Sequence, residues 1–202
     1  MNQQKVWNKI ALEWNKFRIK PLKEVQEFLK NKKGNILDLG CGTGRNFIKI
    51  NGLIYGIDFS SEMIKFAKIN AEKKDIKVET SISSLENLPF ENNFFNSTIF
   101  IATLHCIETK EKRKKTLKEL FRVLKPNSEC LITVWSKKHP KLMKHPKDAT
   151  VSWKTKTEEL HRYYYLYDKK ELEELLKKVG FEIISIKEDN KNIITIVKKP
   201  KN

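Results

Sequence analysis

The stretch Ile36-Leu37-Asp38-Leu39-Gly40-Cys41-Gly42-Thr43-Gly44 decides the fold, because a short apolar run stops at three glycines, each separated from the next by one residue. The apolar run is typical of a buried parallel strand. The glycines remove side chains where that strand ends, so a ligand can approach the bare backbone. A second apolar run, 53–57, is followed by Asp58, whose carboxylate can bond ribose hydroxyls at the end of the neighbouring strand. Together these features predict a nucleoside-binding site.

The spacing of the glycines indicates which nucleoside binds. A dinucleotide site follows the pattern G-x-G-x-x-G and holds a pyrophosphate on a helix N-terminus. This chain instead has G-x-G-x-G, preceded by Asp38. A carboxylate at that position suits a ligand with an ammonium group, which favours S-adenosylmethionine, a nucleoside that carries a sulfonium and an amino acid but no phosphate. The alternatives are a nicotinamide or flavin site, and a glycine-rich turn that binds nothing.

Length and cysteine usage limit the class of protein. The 202 residues are enough for one domain with a sizeable core, so we expect a single domain over 1–202. The start does not resemble a signal peptide, and no apolar run approaches the ~18 residues of a membrane span. We therefore expect a cytoplasmic protein without membrane contact. Cys41, Cys106 and Cys130 form no C-x-x-C pair, so neither a metal site nor a disulfide framework is expected.

The formal net charge of +16 favours a polyanionic partner such as RNA or DNA. Only five of the 41 basic residues are arginines, and the chain is also rich in isoleucine and asparagine. An AT-rich genome would give that combination whatever the function, so part of the excess is expected to be lysine on solvated faces. The remainder still favours a nucleic acid.

Strand and helix signals alternate along the chain and predict a doubly wound α/β sheet. Strands are predicted at 35–39, 53–57, 76–80, 97–102, 129–135, 181–187 and 192–198, the last two as an antiparallel hairpin. Helices are predicted at 44–50, 61–72, 111–123 and 168–179, after an N-terminal segment, 1–33, with one helix over 4–16 and another opened by Pro21. The stretch 136–167 shows little periodicity, and we interpret it as a long substrate-facing insert.

Later motifs resemble those of the class I S-adenosylmethionine-dependent methyltransferases. These motifs are Leu88-Pro89-Phe90, Ile101-Ala102-Thr103-Leu104-His105-Cys106-Ile107 and Arg122-Val123-Leu124-Lys125-Pro126. Three further pieces are similar to one family within that class, the tRNA wobble-uridine carboxymethyl methyltransferases. They are Phe17-Arg18-Ile19-Lys20-Pro21, Asp148-Ala149-Thr150-Val151-Ser152-Trp153 and Arg162-Tyr163-Tyr164-Tyr165-Leu166-Tyr167. The resemblance covers essentially the whole chain, and the R-Y-Y-x-L-Y piece is the most specific because generic class I enzymes lack it.

The resemblance implies a fold, a reaction and partners. The fold is the Rossmann-like class I methyltransferase sheet of seven mostly parallel strands with an antiparallel last strand. The reaction esterifies the carboxylate of 5-carboxymethyluridine at the wobble position of tRNA. The partners are tRNA and a small zinc-ribbon activator subunit, which would add a strand to the third strand at the sheet edge.

The cofactor residues expected from the glycine loop and the resemblance begin in the first strand and extend to the loop after the third. They are Asp38, Gly40, Gly42, Gly44, Asp58, Ser84 and Leu85. The chain departs from the family pattern at three positions. Ser84 stands where the family usually has an acidic residue that contacts the adenine, Asn96 replaces an aspartate, and Cys106 replaces the second of two histidines. A serine hydroxyl accepts a hydrogen bond more weakly than a carboxylate does.

The implied chemistry needs positioning more than proton transfer. A carboxylate with a pKa near ~4 is already ionised at neutral pH, so no general base is required. Arg18 and Arg162 are candidates to hold that carboxylate, because a guanidinium fork matches it. His105 follows the fourth strand and is expected to contact the substrate. Tyr163 and Tyr165 are expected to stack on an unpaired base.

Two other functions remain open from the sequence. The first is a class I methyltransferase for a small molecule, such as a lipid-quinone precursor. The second is a cofactor-binding subunit without catalytic activity, which the departures at Ser84 and Cys106 favour and the intact glycine loop opposes.

Overall fold

The computed structural model describes residues 2–155 and 157–201 of the chain. Its strands are β1 (Lys33–Leu39), β2 (Asn51–Asp58), β3 (Val78–Ile82), β4 (Phe95–Ile101), β5 (Leu124–Trp135), β6 (Asp148–Lys154), β7 (Glu159–Tyr165), β8 (Glu182–Glu188) and β9 (Asn192–Lys198). Its α-helices are α1 (Gln3–Phe17), α2 (Lys23–Leu29), α3 (Ser61–Lys73), α4 (Lys110–Val123) and α5 (Lys169–Val179). A short 3-10 turn, Leu104–Cys106, follows β4. None of the helices within the described ranges has the length and apolar character needed to cross a membrane.

Seven strands form one sheet in the order β3-β2-β1-β4-β5-β9-β8. The first five are parallel, and β9 is antiparallel to both β5 and β8. The predicted seven-stranded, mostly parallel sheet with an antiparallel last strand is therefore confirmed. Because the five parallel strands end at the same edge, the loops that follow β1, β2 and β4 meet there.

Successive side chains of each buried strand point to opposite faces of the sheet, so both faces carry a hydrophobic core. Ile36 points to the layer of α2 and α3, where Val25 and Ile64 are buried. Leu37 points to the layer of α4 and α5, where Leu117 is fully buried. A sheet covered on both faces explains why β1 and β4 are almost continuously apolar.

The helix predicted at 44–50 is wrong, because turns occupy 42–46 and irregular backbone follows. Gly44 has the left-handed φ of +71°, and the ring of Phe47 fills the space beside it. Only a few residues remain before β2, and the β-branched Ile48 and Ile50 favour extended backbone. A segment this short does not offset the cost of helix nucleation. Element ends shift elsewhere too: α2 begins two residues after Pro21, β3 begins at Val78 rather than at residue 76, and β5 begins at Leu124 rather than at residue 129.

The stretch 136–167, which shows little periodicity in the sequence, nevertheless contains an antiparallel hairpin of β6 and β7, which takes up nearly half of it. Leu160, Arg162 and Tyr164 alternate on the buried face of β7. The period of two was obscured because one buried residue is an arginine and three tyrosines follow one another. The hairpin is held against α1, whose Gln3 amide accepts a hydrogen bond from the Tyr163 N–H at 3.0 Å.

Candidate active site

A cavity of about 240 Å³ opens at the carboxyl edge of the parallel strands. Its walls come from the glycine loop after β1, the end of β2, the loop after β4, the end of β5, and the helix α1. The lining residues on which the site depends are Trp7, Trp14, Arg18, Gly40, Gly42, Arg45, Asp58, His105, Trp135 and Tyr164. The cavity thus joins the nucleoside-binding motif to aromatic and cationic side chains from distant parts of the chain.

The glycine loop leaves its backbone open to the cavity at Gly42. This residue has a left-handed φ of +54°, and a Cβ built on it would meet nothing within 4 Å. Gly40 instead faces protein, because a Cβ there would approach the Thr103 side chain to 2.2 Å. The Gly40 and Cys41 N–H groups both donate to the Ile57 carbonyl, at 2.7 and 2.9 Å. The loop is therefore tied to the end of β2, with open space beside Gly42.

Asp58 is held in a fixed orientation at the end of β2. Its Oδ2 accepts a hydrogen bond from the Gly42 N–H and its Oδ1 from the Ser60 N–H, both at 2.9 Å. Burial raises the pKa of Asp58 to about 6, and the backbone donors oppose that shift. The group is mostly ionised at neutral pH, and each carboxylate oxygen retains a lone pair for a further donor such as a ribose hydroxyl.

Asp38 is a buried carboxyl group with an unpartnered oxygen. Only 1% of the residue is exposed, and Oδ2 has no hydrogen-bond partner within the described part of the chain. Burial, followed by the charge of Asp58, raises the pKa of Asp38 to about 8, whereas Arg45 acts in the opposite direction. An unpartnered buried carboxyl is costly to a folded protein, so this position fits a ligand that supplies an ammonium group.

His105 lies in the 3-10 turn after β4 and is 1% exposed. Its Nδ1 accepts a hydrogen bond from the Trp135 N–H at 3.0 Å. Burial, followed by the charge of His139, lowers the pKa of His105 to about 3, so the imidazole is neutral at physiological pH. A neutral imidazole whose Nδ1 accepts must carry its proton on Nε2. His105 is therefore a hydrogen-bond donor to the cavity and not a general base.

Arg162 is buried in an aromatic cage. Its guanidinium carbon lies 4.9 Å from the ring centroid of Trp153, 5.3 Å from Tyr164 and 5.7 Å from Trp14. One NH group donates to the Tyr164 hydroxyl at 2.8 Å, whereas Nε has no partner within the described residues. None of the carboxylates that the structure describes pairs with this guanidinium within 4.0 Å. A buried cation without an anion is a binding feature for a negatively charged ligand.

The guanidinium groups of Arg18 and Arg162 both contact the indole ring of Trp14. The Arg18 guanidinium carbon is 5.0 Å from the Trp14 ring centroid, so the two guanidinium carbons lie within about 11 Å of each other. Arg18 lines the cavity, whereas Arg162 is outside the lining and contacts Trp14 and Tyr164, which belong to it. The structure thus brings together two of the three predicted catalytic side chains through one indole ring, and His105 lies 5.4 Å from the ring centroid of Tyr164.

Other predicted residues lie outside the cavity lining. Tyr163 and Tyr165 are on the opposite face of β7 from Arg162: the Tyr163 hydroxyl bonds Asp148, and the Tyr165 hydroxyl bonds Glu171. Ser84 is exposed, and its hydroxyl accepts the Glu86 N–H at 3.2 Å. Leu85 belongs to the hydrophobic core, and Gly44 packs against Phe47.

Several lining residues were not predicted from the sequence, among them Trp14, Arg45, Trp135 and Tyr164. Trp14 precedes Arg18 by four residues at the end of α1, which is the spacing of neighbours on one helix face. Tyr164 follows Arg162 by two residues in β7 and so shares its face. These two could have been found from periodicity, whereas Arg45 and Trp135 required the assembled fold.

The chain was then compared with known proteins. The family model described as "Methyltransferase domain" matches residues 30–180. A Schizosaccharomyces pombe protein named tRNA (carboxymethyluridine(34)-5-O)-methyltransferase is 28% identical over 96% of this chain and 94% of its own length. The chain spans about a third of the length of the first curated relatives that it matches, which come from mammals and a plant.

Solved structures share the fold. A SAM-dependent methyltransferase of Methanosarcina mazei has a TM-score of 0.73 and 24% identity, over 90% of this chain and all of that one. A Haloferax volcanii methyltransferase, solved in a complex with the Trm112 methyltransferase activator, has a TM-score of 0.73 and 14% identity over 96% and 98% of the two chains. Since the family model matches most of the chain and the sheet has the same architecture, the chain belongs to the methyltransferase domain family.

Proposed function

We propose that this protein uses S-adenosylmethionine to methylate the carboxylate of 5-carboxymethyluridine at the wobble position of tRNA, which gives the methyl ester. The observation that carries the proposal is the cage around Arg162. This buried guanidinium has an unpartnered Nε and is linked through Trp14 to Arg18 at the cavity wall. The printed name of the Schizosaccharomyces pombe relative supports the same substrate.

The residues in and beside the cavity fit the cofactor. Gly42 and Asp58 line the cavity, whereas the buried Asp38, at the end of β1, is outside its lining. The unpartnered Oδ2 of Asp38 suits its ammonium group, Asp58 suits the ribose hydroxyls, and the open space at Gly42 leaves room against the backbone. When bound, S-adenosylmethionine supplies an electrophilic methyl group. The protein then has to exclude water and hold the acceptor oxygen in line with that methyl group.

Arg18, Arg162 and His105 perform that positioning in the proposal. The acceptor carboxylate is ionised at neutral pH because its ordinary pKa is near ~4. The Arg18 guanidinium at the cavity wall orients it, the buried positive charge of Arg162 attracts it across Trp14 and Tyr164, and the Nε2–H of His105 donates to one of its oxygens. No residue has to remove a proton, which agrees with a histidine whose pKa is lowered to about 3.

A small activator subunit is part of the proposal. β3 (Val78–Ile82) is an edge strand of the sheet, and Ile82 is 55% exposed. An edge strand with free N–H and C=O groups can accept a strand from another protein. The Haloferax volcanii methyltransferase, which shares the fold, was solved with such an activator.

The direct test is to incubate the protein, with and without a zinc-ribbon activator, with labelled cofactor and tRNA that carries 5-carboxymethyluridine. We expect a label that is released by mild alkali, as an ester is, and that mass spectrometry places on the wobble nucleoside. Transfer to small quinone precursors but not to tRNA would favour the small-molecule methyltransferase. No transfer to any acceptor, together with intact cofactor binding, would favour the non-catalytic subunit.

A further inference from the structure

The segment 137–147 follows β5 and contains five lysines, and the structure divides them into two groups. Three are engaged within the protein: Lys137 donates to the carbonyls of Met143 and His145, Lys138 pairs with Glu188 at 2.7 Å, and Lys147 pairs with Asp168 at 2.6 Å and Glu171 at 2.7 Å. The side chains of Lys141 and Lys144 make no hydrogen bond or ion pair with any residue that the structure describes.

His139 connects this segment to the rim of the cavity. Its ring centroid lies 5.0 Å from that of Trp135, which lines the cavity, and its Nδ1 accepts the backbone N–H of Lys141 at 3.3 Å. The Lys141 backbone is thus held beside the His139 ring, which is tilted by 33° against Trp135. Its side chain is exposed to solvent.

A second exposed lysine reaches the same rim from the turn before β9. The Lys191 carbonyl accepts the Ser136 N–H at 2.9 Å, and the next residue, Asn192, lines the cavity. Burial, then the charge of Lys191 and, more weakly, that of Lys141, lower the pKa of His139, which agrees with both ammonium groups lying near the ring. The nearby Asp189 is already engaged, because its Oδ1 accepts the N–H groups of Lys191 and Asn192.

A nucleotide whose base enters the cavity brings its own phosphates to the rim. At the rim of the cavity, lysines that pair with a carboxylate have their charge neutralised within the protein. Exposed lysines without such a partner are available to bind phosphate. We propose that Lys141 and Lys191, on either side of His139, bind the RNA backbone next to the target nucleotide, and that Lys138 and Lys147 do not. This inference rests on the RNA substrate of the proposed function and adds the path of the backbone.

The test measures the affinity of the full chain for tRNA bearing 5-carboxymethyluridine between 50 and 200 mM salt, roughly the range over which phosphate contacts are resolved. Each phosphate contact in a single-stranded loop contributes about 0.7 to the slope of log K against log salt. Lys141→Ala and Lys191→Ala should each lower the slope by about that amount, and the double variant by about 1.4. Lys138→Ala and Lys147→Ala are the matched controls and should keep the wild-type slope.

The outcomes separate this inference from the function on which it rests. Affinity for S-adenosylhomocysteine should stay unchanged in all four variants, which shows that each one folds, and Lys141→Gln and Lys191→Gln should behave as the alanine variants do. Salt-dependent tRNA binding with unchanged slopes in the Lys141 and Lys191 variants would overturn the inference and leave the RNA substrate intact. Equal losses in the control variants would also overturn it, in favour of a diffuse positive surface. Wild-type protein that does not bind tRNA would overturn the RNA substrate as well.

Discussion

Replacing Asp38 by asparagine should stabilise the fold while weakening the cofactor site. Asp38 is buried, its Oδ2 is unpartnered, and its pKa is raised from 3.8 to about 8. At pH 7 the native carboxyl keeps a proton that the unfolded chain releases, so the free energy of unfolding falls as the pH rises from about 4 to about 8. The difference between the two pKa values destabilises the native state by about 1.4 kcal/mol for each pH unit above 3.8, which amounts to roughly 4 kcal/mol at pH 7. A neutral asparagine avoids that cost.

The cofactor reverses the preference for the protonated form. An ammonium ligand needs the Asp38 carboxylate, so binding at pH 7 should release about 0.9 proton, the protonated fraction of a group whose pKa is about 8. Affinity for S-adenosylhomocysteine should therefore rise by nearly tenfold from pH 6 to pH 7. In Asp38→Asn, the proton release should disappear. Relative to the ionised wild-type site, affinity should fall about tenfold to a hundredfold, as expected for the loss of a charge-assisted hydrogen bond of 1.5–3 kcal/mol, and at pH 7 the observed loss should be smaller because the wild type must first release its proton.

Calorimetric titration in two buffers of different ionisation enthalpy measures the proton release, and urea unfolding at pH 5 and pH 8 measures stability. Asp58→Asn is the comparison: its own carboxylate is mostly ionised at pH 7, and removing its charge should lower the pKa of Asp38, so the proton release should become smaller without disappearing, because burial is the larger cause of the raised pKa. Binding without proton release in the wild type would refute the reasoning. So would an Asp38→Asn variant that is less stable than the wild type at pH 8.

Three further outcomes follow from the site. Trp14→Ala should lower kcat for tRNA more than it lowers cofactor affinity, because Arg18 and Arg162 lose the indole ring that both contact. Trp14→Phe should recover part of the rate. Equal losses of kcat and of cofactor affinity would assign Trp14 to the cofactor alone. At saturating cofactor, kcat should stay constant from pH 5.5 to pH 8, roughly the range over which an ordinary histidine titrates, because His105 remains neutral throughout. A decrease of kcat below pH 6.5 would contradict the role of His105 as a hydrogen-bond donor. Gly42→Ala should weaken S-adenosylhomocysteine binding, because its methyl group enters the cavity and its φ of +54° disfavours alanine; unchanged affinity would place the cofactor elsewhere.

Local sequence specified the sheet and the cofactor loop but not the assembly around them. β1, β2 and β4 could be predicted because strands buried on both faces are continuously apolar, and Asp38, the glycines and Asp58 lie within or beside those strands. The helix expected at 44–50 failed because periodicity over so few residues does not outweigh the turn beside Gly44.

The substrate side of the cavity depends on contacts between distant segments. The contact of Arg18 and Arg162 with the same indole ring joins α1 to β7, and no pattern in the sequence measures that distance. Once β7 is known to be a strand, its two-residue period places Tyr164 on the face of Arg162 and Tyr163 on the opposite face. The prediction that Tyr163 and Tyr165 stack on a base stays untested, and neither residue lines the cavity.

The measurement that tests the central claim most directly compares methyl transfer to two tRNAs, one with 5-carboxymethyluridine and one with the corresponding amide. The wild type should methylate the acid and not the amide, because in the proposed function the arginines and His105 hold an anion. Arg162→Ala should lose most of the methyl transfer to the acid while its cofactor affinity stays nearly intact, and Arg162→Lys should recover only part of the transfer because lysine lacks the guanidinium fork. Arg122→Ala is the control: Arg122 pairs with Glu119, and its loss should leave the transfer unchanged. Preference for the amide, or full activity in Arg162→Ala, would contradict the account.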